Sequence, residues 1–535
     1  MTRLRLLGTL LWVIWVSLPL AQGSLTKRIR EGDTQQPMTQ AELNDLGDPM
    51  FALVLRDNPQ AVSLDDVERL IKGDSGTRQL FVVHEELQKR NTGGQRRAVI
   101  TFTGTNRGIQ LAPNVALSVS FDDRQVVPGF IEAWGWDNQR SRYNYYKLDG
   151  TSWSFRGSSV DAEQLTSAQR ANTCLACHIN GGPVMKELPI PWNNWHSFRN
   201  LAPYLSPSGA NHWTIAESPR FADLRGAETL ETQFILPSIR QFNGRRLNAL
   251  VRQVDAVQEE VQDGPRALRP LFETTEYNIT SANQASGLHP FPTAGTGPTT
   301  TIQVPDTFFL NANILAGGGI TQYEGLGVSE AREFGSLLTL KPDEYAGAVR
   351  ASNTRIGGVA GDTQFGWFVP EPSHIDNHMI DALIRRGVIT RQFAAAVLSI
   401  DLENPVFSQA RAKLLAAVPR TFRFTKRVSV DDVPSAHPDA LTTAVIANLR
   451  GGNPMQGSPE RELLDALQSP DPVAVLRSKV VAFRDRVRSS LAGLSTHQPE
   501  IRRLYGVMLD RRGAAASANG ALIESRFLFP RRPGQ

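Results

Sequence analysis

The chain has 535 residues, of which 41% are hydrophobic and 21% are charged, and its net charge is +4. A chain of this length forms roughly two to four domains, each long enough to bury a core. Its basic residues are dispersed in pairs such as Arg96-Arg97 and Arg385-Arg386 and are not gathered into a stripe with interleaved aromatic residues. A nucleic-acid-binding surface is therefore not predicted.

The first residues are typical of a secretory signal peptide. Arg3 and Arg5 precede an uncharged run over residues 6–21, and small residues follow it, which predicts a signal peptide over residues 1–23. The alternative is a retained anchor, but the run is shorter than the about 20 apolar residues that span a bilayer. No later segment is apolar enough to span one, so we expect a periplasmic or otherwise exported protein without a stable membrane span after signal cleavage.

Between residues 24 and 214 the pattern changes from helical to strand-like. Segment 24–76 is polar, and Thr39 and Ser63 are predicted to cap short helices. From residue 77 onward apolar and polar residues alternate, and turn residues separate the runs, which predicts a β-rich domain over 77–214. The predicted strands are residues 79–85, 98–104, 115–122, 129–137, 142–148 and 152–156.

Both cysteines of the chain lie in one short motif, Cys174-Leu175-Ala176-Cys177-His178. Cys-x-x-Cys-His is the spacing of covalent haem attachment, because two thiols one helical turn apart can add to the two vinyl groups of a porphyrin. The adjacent imidazole of His178 is then placed under the iron as its proximal ligand. One motif predicts one covalently bound haem c as the cofactor.

Three other chemistries are compatible with the two thiols. A thioredoxin-like dithiol belongs at a helix start after a strand in a βαβ unit, whereas residues 161–171 before the motif are polar and helical in pattern. A zinc site needs a fourth ligand, and the adjacent Cys177 and His178 suit a tetrahedron poorly. A disulfide between Cys174 and Cys177 would close a very short loop.

The motif, with its flanking residues 172–183, resembles the haem-binding segment of the c-type cytochromes. This resemblance implies that Cys174 and Cys177 form the thioether bonds and that His178 is the proximal ligand. The run of strands before the motif is similar in layout to the β-sheet cytochromes, namely the beta form of cytochrome c-prime and the hydroxylamine-oxidising cross-linked-haem group. The cross-linking chemistry of that group is not carried over.

The ligand opposite His178 decides the chemistry, because a Met or His there gives a closed electron-transfer haem and an open position permits reactions. The candidates for the haem pocket are Met185, Trp192, Trp195 and His196. His196 and Met185 could also be the distal ligand, and His212, beside Trp213, is a weaker candidate. The alternatives are apolar lining for Met185 and a bond to a backbone carbonyl for His196.

Beyond residue 215 the pattern becomes helical. Residues 215–305 are predicted to form a helical segment, in which Pro237 interrupts or kinks a helix over 227–257, and a linker rich in Gly, Thr and Pro. Residues 306–535 are predicted to form a mostly α-helical domain. Its predicted helices are residues 375–386, 390–399, 405–418, 440–449, 459–467, 472–491 and 498–510. The expected fold class is α+β, an antiparallel β-rich haem domain followed by a predominantly α-helical C-terminal region.

His374 and His378 lie four residues apart where Pro372-Ser373 predicts a helix start. This spacing can place both imidazoles on one helical face, but no clear third ligand accompanies them, so a solvated helix start is predicted in preference to a metal site. Asp362 and Asp376 are likewise expected to be capping or solvated residues.

The predicted function is that of an exported mono-haem c-type cytochrome in electron transfer or haem-dependent oxidoreduction. Its partner would be a redox protein or a small-molecule substrate. A haem enzyme with an open distal site, of peroxidase, oxygenase or isomerase type, and a haem-based ligand sensor are the alternatives. The large region beyond the motif exceeds what electron transfer requires, whereas no distal acid, base or ligand is identifiable.

Overall fold

The structure is a computed structural model. It describes residues 25–83, 96–121, 125–170, 173–178, 180–183, 205–209, 212–273, 277–281, 302–303, 306–319, 322–337, 339–340, 355–356, 359–360, 368–405, 408–427 and 438–492. The predicted signal peptide and the predicted helix at 498–510 lie outside these residues. The fold is α+β, since an eight-stranded sheet comes first and helices dominate the C-terminal region. The predicted fold class is confirmed.

Eight strands form the N-terminal sheet. They are β1 (Thr26–Lys27), β2 (Gln36–Pro37), β3 (Thr77–Val83), β4 (Arg96–Thr103), β5 (Val115–Phe121), β6 (Val126–Asp137), β7 (Arg142–Asp149) and β8 (Ser152–Ser158). Their spatial order is β2-β1-β8-β7-β6-β5-β4-β3. β1 is parallel to β8, and the other neighbours are antiparallel. The six longer strands confirm the predicted ones, and a small hairpin pairs Thr105–Asn106 with Ile109–Gln110.

The polar segment before β3 contributes to the same sheet and to its core. It contains α1 (Gln40–Asn44), a π-helical turn (Phe51–Leu55) and α2 (Leu64–Lys72). Thr39 and Ser63 cap the two helices, as predicted. Most of the π-helical turn is buried, although the surrounding composition is polar.

The sheet is covered on both faces because successive side chains of a strand point to opposite sides. On one face, Tyr146 and Leu148 of β7 pack with the π-helical turn. On the other face, Tyr143 and Tyr145 of β7 pack with Leu175 of the motif. We call these the N-terminal core and the motif-side core.

Helices follow the sheet directly. They are α3 (Ser159–Gln164), α4 (Ser167–Arg170) and α5 (Cys174–Cys177), with a 3-10 turn at Thr214–Glu217. The helical pattern predicted before the motif corresponds to α3 and α4.

The helix predicted over 227–257 is divided. It consists of α6 (Ala227–Leu230), a π-helical turn (Glu231–Ile235) and α7 (Leu236–Leu250). Pro237, in the first turn of α7, lacks an N–H and clashes with the preceding turn, and the wider π-helical turn accommodates it. The chain then leaves the helix because β9 (Val251–Gln253) pairs with β10 (Gln258–Val261), which in turn pairs with β11 (Phe422–Thr425).

The remaining described elements are mainly helical. The helices are α8 (Gly264–Phe272), α9 (Asp306–Phe309), α10 (Ala312–Ala316), α11 (His374–Arg386), α12 (Arg391–Leu398), α13 (Gln409–Lys413), α14 (Ala440–Gly451), α15 (Pro459–Gln468) and α16 (Pro472–Leu491), with 3-10 turns at Ser329–Arg332 and Leu414–Ala417. Short antiparallel pairs join Tyr277–Ser281 to Phe368–Pro372, Ile302–Gln303 to Thr339–Leu340 and Arg355–Ile356 to Val359–Ala360. The predicted helix 405–418 is thus shorter and tightens into a 3-10 turn, as helix ends often do.

α7 and α11 connect the motif-side core to a third core, which we call the helical core. Ile239 and Phe242 of α7 and Ile375 of α11 belong to the motif-side core. Further along, Leu247 of α7 and Leu383 of α11 belong to the helical core. Within the described part of the chain, no helix is both long enough and apolar enough to cross a lipid bilayer.

Candidate functional site

α5 is a single helical turn that begins and ends at a cysteine. Thr173 Oγ1 accepts a hydrogen bond from Leu175 N (3.2 Å), and His178 N donates to Cys174 O (3.0 Å). The backbone therefore spaces Cys174 and Cys177 by one turn, the spacing that covalent haem attachment needs. Cys174 is half-buried, and Leu175 is fully buried against the sheet.

Gly157 of β8 lets α5 lie directly on the sheet. Its φ is +104°, and a Cβ atom here would lie 2.7 Å from Leu175 Cδ1. Glycine alone accepts both the backbone conformation and the close approach.

The imidazole of His178 is buried and held in one orientation. Its Nδ1 lies 2.8 Å from the carbonyl oxygen of Gly182, and the ring of Tyr145 stacks on it with centroids 4.5 Å apart. A carbonyl can only accept, so Nδ1 carries the proton and the lone pair of the neutral ring lies on Nε2. This is the arrangement found in metal-binding histidines, whose second ring N–H donates to a carbonyl or carboxylate.

The loop after His178 depends on two adjacent glycines. Gly181 has φ +66°, and its N donates to His178 O (2.8 Å). A Cβ atom at Gly181 would lie 2.5 Å from Ser159 Cα, and one at Gly182 would lie 2.7 Å from Ile375 Cδ1. The predicted turn is thus present, and it brings the Gly182 carbonyl to His178 and to the hydroxyl of Tyr145, which donates to it at 2.9 Å.

A charged group lies beside His178 on the same face of the sheet. Glu132 of β6 forms an ion pair with Arg97 of β4. Burial raises the pKa of Glu132, but Arg97 outweighs it, and with a smaller contribution from Lys147 the pKa lies below its ordinary value. The site therefore holds a carboxylate near the imidazole.

Sequence reasoning missed Tyr145 and Glu132 as site residues. An acidic residue inside the apolar strand β6 was a usable signal, because a buried carboxylate normally has a cationic partner. The contact between Tyr145 and His178 joins residues far apart in the chain and had no local signal. The predicted pocket residues Met185, Trp192, Trp195 and His196 lie outside the described residues.

His212 lies in a different environment from His178. Its Nε2 is 2.9 Å from Glu217 Oε1. The adjacent Trp213 is buried edge-on against Phe121 in the N-terminal core, on the opposite face of the sheet from the motif.

The prediction of a solvated start for α11 is wrong. Ser373 caps the helix, as predicted, but Asp376 is buried and His378 is only 4% exposed. His374 and His378 do share one face, because both contact Tyr323. This polar face is buried because the chain around Tyr323 covers it. The sequence of α11 alone does not predict this contact with a distant segment.

His374 links two other side chains. Tyr323 Oη lies 3.0 Å from its Nδ1, and Glu231 Oε1 lies 3.2 Å from its Nε2. The carboxylate accepts from Nε2–H, so Nδ1 is the acceptor of the phenolic proton.

Burial is the first cause that lowers the pKa of His378 to about 3, followed by the charges of His374, Arg240 and Arg385. His378 is therefore neutral at physiological pH, and within the described residues its Nε2 is buried without a hydrogen-bond partner.

Among the described residues, no three or more His, Cys, Asp or Glu side chains converge into a group that could hold a metal ion. A c-type haem would require no such group, because porphyrin supplies four of the iron ligands and a protein supplies only the axial ones. In comparisons with known proteins, no protein family, no curated protein and no solved structure matches the chain.

Proposed function

We propose that the protein is an exported mono-haem c-type cytochrome that acts in electron transfer or haem-dependent oxidoreduction. Cys174 and Cys177 would form the thioether bonds, and His178 would bind the iron through Nε2. The observation that carries the proposal is the 2.8 Å contact from His178 Nδ1 to the Gly182 carbonyl, directly after a one-turn helix bounded by the two cysteines. A bound haem would supply a centre that gains and loses one electron.

The surrounding residues would hold the imidazole for this role. The Gly182 carbonyl fixes the tautomer, and the stacked ring of Tyr145 restricts rotation. A hydrogen bond to the second ring nitrogen also raises the basicity of a ligating imidazole. The chain therefore contains the supporting contacts as well as the attachment motif.

The fold around the motif argues against a thioredoxin-like dithiol. That chemistry belongs at the start of a helix between parallel strands of a βαβ unit. Here α5 follows two short helices, and the strands that lead to it, β7 and β8, are antiparallel. The predicted signal peptide over residues 1–23 supports a haem further, because c-type haem is attached outside the cytoplasm.

The test is expression of the full chain in a host that attaches c-type haem, followed by denaturing gel electrophoresis with haem staining and pyridine haemochrome quantification. We expect one haem per chain that survives denaturation. Cys174→Ala and Cys177→Ala together should abolish the stain, and His178→Ala should remove the axial ligand. His212→Ala is the matched control, since it removes a histidine paired with Glu217, and it should stain fully.

A colourless full-length protein with both thiols open to alkylation would contradict the proposal. Addition of carbon monoxide then distinguishes electron transfer from haem-dependent chemistry or ligand sensing. A closed six-coordinate haem does not bind carbon monoxide, whereas a haem with an open position does. An unchanged reduced spectrum would assign electron transfer, and a shifted one would assign haem-dependent chemistry or ligand sensing.

A further inference from the structure

Three side chains from three separate elements form one hydrogen-bonded chain near the motif. Tyr323 comes from the segment after α10, His374 is the first residue of α11, and Glu231 lies in the π-helical turn before α7. The two contacts, phenol to Nδ1 and Nε2 to carboxylate, are 3.0 and 3.2 Å long. The acceptor of the phenolic proton is thus a base that is itself held by a carboxylate.

The chain leads from the interior towards the surface. Tyr323 is 3% exposed, whereas the side chains of His374 and Glu231 are 23% and 29% exposed. A proton that leaves the buried phenol therefore has an acceptor within hydrogen-bond distance and a second group beyond it that solvent can reach. Tyr143 is a buried tyrosine without such an acceptor. Its hydroxyl donates to the backbone carbonyl of Ser238, which cannot take up the phenolic proton.

The phenol is held in place by a glycine-rich turn and by packing. The turn contains three successive glycines with φ near +70°, Gly317, Gly318 and Gly319. The backbone N–H of Gly318 donates to the backbone carbonyl oxygen of Tyr323 at 2.8 Å. The phenol ring meets His378 edge-on, with centroids 4.7 Å apart. The geometry between Tyr323 and His374 is therefore fixed before any reaction.

The charges around His374 permit it to become cationic. His378 stays neutral, so no second charged imidazole faces it. Of the two arginines whose charges act on the neighbouring His378, Arg385 is paired with Asp381 at 2.6 Å, and Arg240 belongs to α7. The carboxylate of Glu231 offsets the positive charge directly.

We infer that Tyr323 is a redox-active tyrosine whose phenolic proton moves to His374 as the ring loses an electron. The O–H bond of Tyr323 breaks, an N–H bond forms at Nδ1 of His374, and Glu231 stabilises the imidazolium. The electron goes to a high-potential one-electron oxidant, a class that a bound haem would supply. Reversal by a one-electron donor returns the proton and restores the phenol.

The position of the three residues connects them to the proposed haem. Ile375 follows His374 directly, and its Cδ1 atom lies 2.7 Å from where a Cβ atom on Gly182 would be. The carbonyl of Gly182 holds His178. The identity of the physiological oxidant depends on the proposed function. The proton-coupled oxidation of Tyr323 does not, because it is argued from the contacts of Tyr323 with His374 and of His374 with Glu231.

The test uses the full chain with an external photo-oxidant, a ruthenium polypyridyl complex with persulfate, and high-field electron paramagnetic resonance after rapid freezing. We expect a neutral tyrosyl radical whose g-values report a hydrogen bond from an imidazolium. Tyr323→Phe should remove this signal. Tyr143→Phe, which removes an equally buried phenol without a basic acceptor, should leave it intact.

His374→Gln keeps the tyrosine and removes the base. The rate of radical formation should fall roughly 10²-fold, the scale of assistance by a positioned general base, and its solvent deuterium isotope effect should disappear. A signal that persists in Tyr323→Phe, or an unchanged rate and isotope effect in His374→Gln, would overturn the inference. If Tyr323→Phe fails to fold, the His374→Gln rate decides.

The photo-oxidant does not depend on haem, so the two proposals fail separately. A haem-loaded protein without the Tyr323 radical contradicts the redox tyrosine alone. A colourless protein that gives the radical contradicts the haem proposal alone.

Discussion

The carbonyl oxygen of Gly182 accepts two hydrogen bonds, from His178 Nδ1 and from the hydroxyl of Tyr145. Tyr145→Phe would remove the second donor and leave the ring stacked on the imidazole. The carbonyl would then be a stronger acceptor for Nδ1–H, His178 would be more basic, and the oxidised iron would be stabilised. We expect a lower reduction potential of the proposed haem, measured by spectroelectrochemical titration.

The control at the residue scale is Tyr143→Phe, on the same strand and the same face. It also removes a buried hydroxyl, but one that donates to Ser238 O at 3.3 Å. Each substitution should cost about 1 kcal/mol in the free energy of unfolding, and only Tyr145→Phe should move the potential. Equal potentials for both variants and the wild type would show that the shared carbonyl does not tune His178.

At the scale of the element, α5 lies on β8 through the contact between Leu175 and Gly157. Gly157→Ala should reduce the free energy of unfolding by more than the about 1–3 kcal/mol of backbone strain, because the new Cβ atom also overlaps Leu175. Gly150→Ala is the matched control, since Gly150 has φ +66° and nothing within 4 Å of a Cβ atom. Chemical denaturation measures both losses.

The double variant Gly157→Ala with Leu175→Ala isolates the contact. Leu175→Ala leaves room for the added methyl group. The double variant should therefore lose less free energy of unfolding than the two single variants lose together. Strict additivity, or equal losses for Gly157→Ala and Gly150→Ala, would mean that the contact does not hold α5 on the sheet.

The longer elements could be predicted because their patterns are local. Alternation over residues 98–102 identifies β4, and Ser63 and Ser373 identify the starts of α2 and α11. β1 and β2 have two residues each, too few to show a period. The burial of His378 could not be predicted, because the residue that covers it, Tyr323, lies 55 positions earlier in the chain.

The candidate site likewise has one part that could be predicted from a local pattern and another that depends on residues distant in the chain. The motif itself is local, so Cys174, Cys177 and His178 are identifiable from their spacing alone. The stacking of Tyr145 on His178 and the position of Glu132 on the same face depend on the register of β6 and β7. That register pairs Glu132 with Lys147 and Trp134 with Tyr145. Register between strands is set by the hydrophobic patterns of both strands and by the turn that joins them, so neither strand alone reveals it.

For the molecule as a whole, α11 is the element through which acid should weaken the fold. It contributes Ile375 to the motif-side core and Leu383 to the helical core, and His378 lies between them. Burial above all lowers the pKa of His378 to about 3, whereas the unfolded chain binds this proton near pH 6.5. The folded state holds fewer protons, so the stability due to a neutral His378 is complete above about pH 6.5 and is lost as the pH falls towards 3.

The loss should be about 1.4 kcal/mol per pH unit within that window, or roughly 2 kcal/mol between pH 6.5 and pH 5. His378→Phe keeps an aromatic ring against Tyr323 and removes the titrating group. Between pH 6.5 and pH 5 the free energy of unfolding of this variant should therefore fall by roughly 2 kcal/mol less than that of the wild type. Tyr143→Phe, which removes a buried hydroxyl and no group that titrates between pH 3 and pH 6.5, should keep the wild-type slope. Urea unfolding at a series of pH values gives the three slopes, and a His378→Phe curve parallel to the wild type would mean that His378 is already protonated in the folded protein.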